Sequence, residues 1–250
     1  MKKHGIVADS RTPAKARARR PRREGTAGVP QPLVGAQFLL GVAHDWQLPA
    51  AGAPEIAFAG RSNAGKSSAI NALARHSRLA YASRTPGRTQ QINFFTLRHG
   101  GLVADLPGYG YAAVTKSLKR DWQDILWRYV TTRQNLIALT LLVDARRGLT
   151  DLDRALLDAF VPSGRPVLLL ATKADKLGTT AQRAALAGIE AALSRAFPRG
   201  AANVRVLLFS AVTHEGVDAA NETIASWLPA GEPPSSANDP AKERPRNQGD

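Results

Sequence analysis

The chain has 250 residues, 44% hydrophobic and 22% charged, enough for one medium domain with tails or at most two small ones, and too apolar to be disordered throughout. Its 34 Lys and Arg outweigh 20 Asp and Glu to give a net charge of +14, which draws a surface to polyanions such as RNA or a ribosome through counterion release; an arginine-rich composition that only solvates the surface is the plainer alternative. The absence of cysteine removes disulfides, thiolate zinc sites and cysteine nucleophiles, and with neither a membrane-length apolar run nor an apolar secretion segment a cytoplasmic protein is expected.

Residues 1–32 carry Lys2, Lys3, Arg11, Lys15, Arg17, Arg19, Arg20, Arg22 and Arg23 with little apolar content, and read as a disordered basic arm. A transit peptide is the competing reading, against which Pro13, Pro21 and Pro30 interrupt an amphipathic helix. From Gln37 to Leu48, the residues Phe38, Leu39, Leu40, Val42 and Trp46 read as a lead-in segment packed on the domain, with His44 and Asp45 structural. A short buried strand, Glu55–Ala59, then meets GRSNAGKS, Gly60–Ser67, which fits G-x-x-x-x-G-K-[ST] without a mismatch and opens a helix running to about Arg75. Strand, glycine loop and helix together make an anion cradle, since backbone N–H groups and the positive end of the helix dipole converge on phosphate oxygens. Lys66 would reach the β and γ phosphates, and Ser67 would offer its hydroxyl to Mg²⁺.

Between His76 and Gln91 the periodicity is lost, and SRTPGRTQQ reads as a mobile loop. Ile92–Arg98 and Leu102–Ala104, joined by Gly100 and Gly101, read as a hairpin. Asp105, in DLPG at a strand end, stands where a ligand for a metal-bound water belongs in an open α/β sheet. A helix over about Ser117–Arg133 sets Leu118, Trp122, Ile125, Leu126, Tyr129 and Val130 on one face, with Trp127 opposite, either in contact with a partner or partly covered by a neighbouring segment. Three β–α repeats follow: Leu136–Val143 with Leu152–Phe160, Pro166–Leu170 with Thr180–Ala196, and Val204–Phe209 with Val217–Leu228. The result is an α/β phosphate-loop fold, a mostly parallel six-stranded sheet with helices on both faces and one antiparallel strand. The G domain spans residues 33–228, and residues 229–250 form a disordered tail.

A phosphate loop does not choose between nucleotides. Asp175 does, because in TKAD, directly after the buried run Val167–Leu170, its carboxylate can accept from both guanine N1–H and the exocyclic amine, a donor pair that adenine lacks. Ser210 and Ala211 end the last strand, where a backbone N–H can meet the guanine oxygen.

The order GRSNAGKS, TPGRTQ, DLPG, TKAD, SA over Gly60–Ala211 resembles the translation-factor-related GTPases. The longer runs GRSNAGKSS, SRTPGRTQQINFF and DLPGYGYA are similar, more narrowly, to the bacterial YihA/YsxC/EngB family, over about Gln37 to Leu228. The resemblance implies binding of GTP or GDP with Mg²⁺, slow GTP hydrolysis, help in assembling the large ribosomal subunit through its rRNA, and a requirement for normal cell division and septation. It also implies the site. The phosphate loop supplies Gly60, Arg61, Ser62, Asn63, Ala64, Gly65, Lys66 and Ser67, and the following loop Gly87, Arg88, Thr89, Gln90 and Gln91. DLPG supplies Asp105, Leu106, Pro107 and Gly108, and the base is held by Thr172, Lys173, Ala174, Asp175, Phe209, Ser210 and Ala211. Mg²⁺ falls to Ser67, Thr89 and, through water, Asp105; Lys66, Thr89 and Gly108, whose N–H meets the γ-phosphate, carry the chemistry.

Two departures matter. Thr172 replaces the general asparagine of the base motif, which puts in doubt the usual side-chain tie to the phosphate loop. Tyr109 follows DLPG where many switch GTPases have a water-orienting glutamine, so unassisted turnover is expected to be slow. Asn63 matches a potassium-binding asparagine of related GTPases, and K⁺ there would neutralise transition-state charge; equally, Asn63 caps the turn. Two further readings compete: a small-molecule kinase, which TKAD opposes, and a nucleotide-stabilised cell-division scaffold in which hydrolysis is incidental. A monomer without DNA specificity is the default.

Overall fold

The computed structural model describes residues 28–50, 52–80, 91–98, 100–110, 125–198 and 203–229. The basic arm up to residue 27, the loop 81–90, the first part of the Ser117–Arg133 helix and the tail from residue 230 lie outside the described residues. Seven strands form one sheet: β1 (Gln37–Val42), β2 (Glu55–Gly60), β3 (Ile92–Thr96), β4 (Leu102–Asp105), β5 (Leu136–Asp144), β6 (Val167–Thr172) and β7 (Val204–Leu208). Their order is β1-β3-β4-β2-β5-β6-β7. Only β3 opposes the rest, running antiparallel to β1 and β4, while β4, β2, β5, β6 and β7 pair in parallel. β2 and β6 are buried along their whole length, as parallel strands covered on both faces must be.

The helices are α1 (Lys66–Leu73), α2 (described over 125–132), α3 (Asp151–Phe160), α4 (Thr179–Ala196) and α5 (Val217–Ala225). Alternation along β2 splits the core in two. Ile56 and Phe58 pack with Ile70 and Leu73 of α1 and Ile224 of α5, whereas Ala57 and Ala59 face the layer of Tyr129, Leu156, Phe160 and Leu193 from α2, α3 and α4. Helices therefore cover both faces. Trp127 is half-buried against that second layer, the covered alternative. Among the described residues no helix is long and apolar enough to cross a membrane.

The lead-in segment differs from expectation and accounts for the seventh strand. Gln37–Val42 pairs with β3 from Gln37↔Thr96 to Val42↔Ile92, with a bulge between Phe38 and Leu40. Val42 is buried, but Phe38, Leu39 and Trp46 are 60%, 43% and 80% exposed. A local apolar cluster reads alike whether it packs by side chains or joins a sheet edge; the partner, more than fifty residues away, decides. At the opposite end of β2 from the glycine loop, fully buried Glu55 accepts from Tyr129 Oη at 2.7 Å and from Arg133 Nε at 3.0 Å, and Arg133 also donates to the Pro49 carbonyl at 2.7 Å. Burial first, and the Glu55 carboxylate second, push the Tyr129 phenol well above its ordinary value.

Candidate functional site

β2 ends in the glycine loop because the chain there adopts conformations that bulky side chains avoid: Gly65 has φ 94° and Asn63 φ 65°. Gly60 has no room for a side chain, since a Cβ would lie 2.7 Å from the Leu142 carbonyl oxygen. DLPG runs beside this loop. Leu106 N–H donates to Phe58 O at 2.9 Å, Ser62 N–H to Tyr109 O at 2.7 Å, and a Cβ on Gly108 would come within 3.2 Å of Ser62 Cα. The Lys66 ammonium, at the first residue of α1, pairs with the largely buried Asp105 carboxylate at the end of β4. Lysine and carboxylate thus share the mouth of the loop, and Ser67 follows as the second residue of α1.

The base motif grips the same loop from its other side. Thr172 at the end of β6 has one hydroxyl proton and two carbonyls in reach, Ala64 O at 2.5 Å and Val143 O at 3.1 Å. The tie that an asparagine amide would make is therefore made by a hydroxyl. Lys173, in a left-handed conformation at φ 59°, donates from Nζ to Asn63 O at 2.6 Å and to Asp144 Oδ2 at 3.0 Å. Asp175 accepts from Ser210 Oγ at 2.7 Å, and this bond above all lowers its pKa. Ser210 Oγ in turn accepts from Val212 and Thr213 N–H at 3.2 and 3.1 Å. Ala174 N–H reaches Phe209 O at 3.2 Å, with Phe209 buried in the core and Ala211 packed against it. The carboxylate of Asp175 is thus fixed, ionised and left with lone pairs for a donor-bearing base.

GRSNAGKS is consequently the centre of the site, with DLPG on one side of it and TKAD on the other, and SA behind TKAD. Gly87, Arg88, Thr89 and Gln90 lie outside the described residues. Gln91 is exposed beside Gly41 of β1. Left-handed φ alone suits asparagine at position 63, which supports the turn reading of Asn63.

Two acids, Asp144 and Asp153, were not anticipated. Asp144 ends β5 in register with Thr172 and accepts from Arg146 at 2.9 and 2.7 Å as well as from Lys173; Arg146, then Lys173, hold its carboxyl well below the usual range. Its signal was the same as that of Asp105, a carboxylate at the end of a parallel strand. Tyr109 turns its ring into the core and donates to buried Asp153 at 2.5 Å, and Asp153 caps α3 through Thr150. A hydroxyl so committed does not face the loop mouth. A cleft of about 170 Å³ between Arg61, Asn63, Arg147, Gly148 and Asp153 flanks the loop on that side.

The donor set fits a hard divalent cation. Among the described residues no three His, Cys, Asp or Glu cluster, whereas Mg²⁺ takes one or two protein oxygens, with water and phosphate supplying the rest. Ser67 Oγ would be such an oxygen and Asp105 would act through a water, and Mg²⁺ bound there would neutralise phosphate charge.

A family model described as a 50S ribosome-binding GTPase matches residues 55–173. The chain is 51% identical to the GTP-binding protein EngB of Azoarcus sp. (strain BH72) over 193 residues, 77% of this chain and 91% of that one. It is 44% identical to EngB of Ralstonia nicotianae over 225 residues, 84% of this chain and 94% of the relative. Among solved structures, a GTP-binding protein EngB is similar at TM-score 0.56 and 21% identity, covering 69% of this chain and 97% of that chain. Era, solved with MgGDPNP and nucleotides 1506–1542 of 16S ribosomal RNA, is similar at TM-score 0.53 and 21% identity over 72% of this chain and 58% of that one. These two likenesses speak for the fold.

Proposed function

The chain belongs to the EngB family of GTP-binding proteins and is a GTPase, and from that premise we propose that it is a guanine-nucleotide switch assisting assembly of the large ribosomal subunit in the cytoplasm. The observation that carries the reading is the match of residues 55–173 to a 50S ribosome-binding GTPase. The net charge of +14 supports an RNA-bearing partner, and a role in division and septation follows as a consequence of that assembly function.

In this reading Lys66 leaves Asp105 for the β and γ phosphates. Ser67 and Thr89 bind Mg²⁺, Asp105 acts through a water, and Gly108 N–H meets the γ-phosphate. Asp175 reads guanine, with Thr172, Lys173, Ala174, Phe209, Ser210 and Ala211 shaping its seat, while Gly60 to Ser67 and Gly87 to Gln91 surround the phosphates. Because the Tyr109 hydroxyl is bound to Asp153, rapid hydrolysis needs help from outside, from a ribosomal particle or from K⁺ at Asn63. GTP turnover measured in sodium and in potassium, with and without large ribosomal particles, tests this. Stimulation by particles is the expected result, and equal slow turnover in all four conditions would count against the switch.

A further inference from the structure

The most exposed large apolar side chain among the described residues is Trp46, 80% accessible. It is not loose. The imidazole of His44 lies alongside its indole in nearly the same orientation, with centroids 6.0 Å apart and planes at 9°. The turn beneath is tied: Gln47 Oε1 accepts from Ala43 N–H at 2.9 Å and His44 N–H at 3.0 Å. Gln47 N–H and Leu48 N–H close it onto His44 O and Asp45 O, and Asp45 binds exposed Arg128 of α2 at 2.5 Å. An indole 80% accessible on a turn that is already tied down is a stacking surface whose ordering cost is largely met.

The charge around it selects the occupant. Residues 28–44 and 91–98, which carry β1, its approach and β3, contain no carboxylate, and the only acid of the turn, Asp45, is matched by Arg128. No carboxylate of those segments repels a polyanion. Addition of a peptide strand to the β1 edge is disfavoured by the bulge at Leu39, which breaks the register of the edge. A nucleobase needs no edge, only an exposed π-face, and the Asp45–Arg128 pair beside it carries no net charge to repel it.

We propose that His44 and Trp46 form a stacking platform for an unpaired base of single-stranded RNA, with Arg128 at its border. The platform rests on the reading of a ribosomal RNA partner. It also sits where that reading needs a sensor: Val42, just before the turn, pairs with Ile92, the first residue after the Thr89 loop, and Arg128 lies on the helix that follows DLPG.

The test uses the full chain loaded with a non-hydrolysable GTP analogue and a labelled twelve-nucleotide oligoadenylate RNA, followed by anisotropy at physiological salt. Trp46→Ala is expected to weaken binding roughly ten-fold or more, and Trp46→Phe to retain it within about three-fold, while GDP affinity, measured as a folding control, stays that of the wild type. An RNA duplex of equal length is expected to bind both proteins alike. Oligoadenylate binding by Trp46→Ala within about two-fold of wild type overturns the platform, as does an equal loss for duplex and single strand. Co-sedimentation with large ribosomal particles separates the two levels. Particles bound equally by wild type and Trp46→Ala, with oligoadenylate binding also unchanged, sink the platform and leave the assembly reading standing. Loss of oligoadenylate binding in Trp46→Ala, when wild type ignores the particles, supports the platform and sinks the assembly reading. Loss of particle binding alone assigns Trp46 to a protein contact and overturns the RNA proposal.

Discussion

β2 has two ends built on opposite principles. At Glu55 every lone pair is spent inside the protein, on Tyr129 and Arg133, and no group is left for a ligand. At Gly60 the chain enters a loop in left-handed conformations where Lys66 and Asp105 hold each other, a pair that phosphate would divide in the proposed function. The first end resists change because removing one member of a buried ion pair strands the other. In the proposed function the second accepts change, because phosphate and a metal-bound water offer its lysine and carboxylate alternative partners. Stability and ligand response are thus segregated along one six-residue strand.

Substitutions should separate the ends. Glu55→Ala leaves the Arg133 guanidinium without its carboxylate and is expected to cost about 3–5 kcal/mol, read by chemical denaturation, with GDP affinity of the folded fraction little altered. Lys66→Ala should act mainly on function, lowering GTP turnover by about 10²–10³-fold with a smaller shift of the denaturation midpoint than Glu55→Ala, since it too leaves a carboxylate unpaired. Next comes the hydroxyl that ties the base motif to the loop: Thr172→Val should weaken GDP binding about ten-fold, corresponding to ~1.4 kcal/mol, and Thr172→Ser should restore it. Tyr109→Phe loses the bond to Asp153 and about 1–2 kcal/mol of stability, while basal turnover, measured by phosphate release, stays within about two-fold.

The smallest effect is in acid. The folded-state pKa of Asp144 is lowered by Arg146 and Lys173, so its contribution is present above the ordinary carboxylate value of about 3.9 and is lost as pH falls through the folded value. Asp144→Asn should therefore flatten the decline in stability between about pH 4 and pH 2. An unchanged acid limb would remove Asp144 from the group of residues that brace the loop.

Much of the nucleotide end was legible in the sequence, because a glycine loop, a strand-end aspartate and TKAD are local patterns whose spacing reports their chemistry. The alternation of strands and helices was legible for the same reason. What escaped depends on partners distant in the chain. Glu55 meets Arg133 across 78 residues, and nothing in EIAFAG marks its first residue as an acid that will be wholly buried. Trp46 lay in an apolar cluster, yet composition does not say what covers an indole. The strand Gln37–Val42 was invisible until β3 was placed beside it. Thr172 looked like a loss, since the role was carried by an amide in the general motif; geometry shows that a hydroxyl 2.5 Å from Ala64 O serves.

That hydroxyl has a directional consequence. In a trans peptide the carbonyl and the following N–H point to opposite sides, so fixing Ala64 O on Thr172 turns the Gly65 N–H away from the base motif and outward from it. The aim of one N–H of the glycine loop is therefore set by a residue on β6 before any ligand is present. A pyrophosphate lacking a base would meet a donor already pointed, while a base lacking phosphate would find its own seat braced by the same bond.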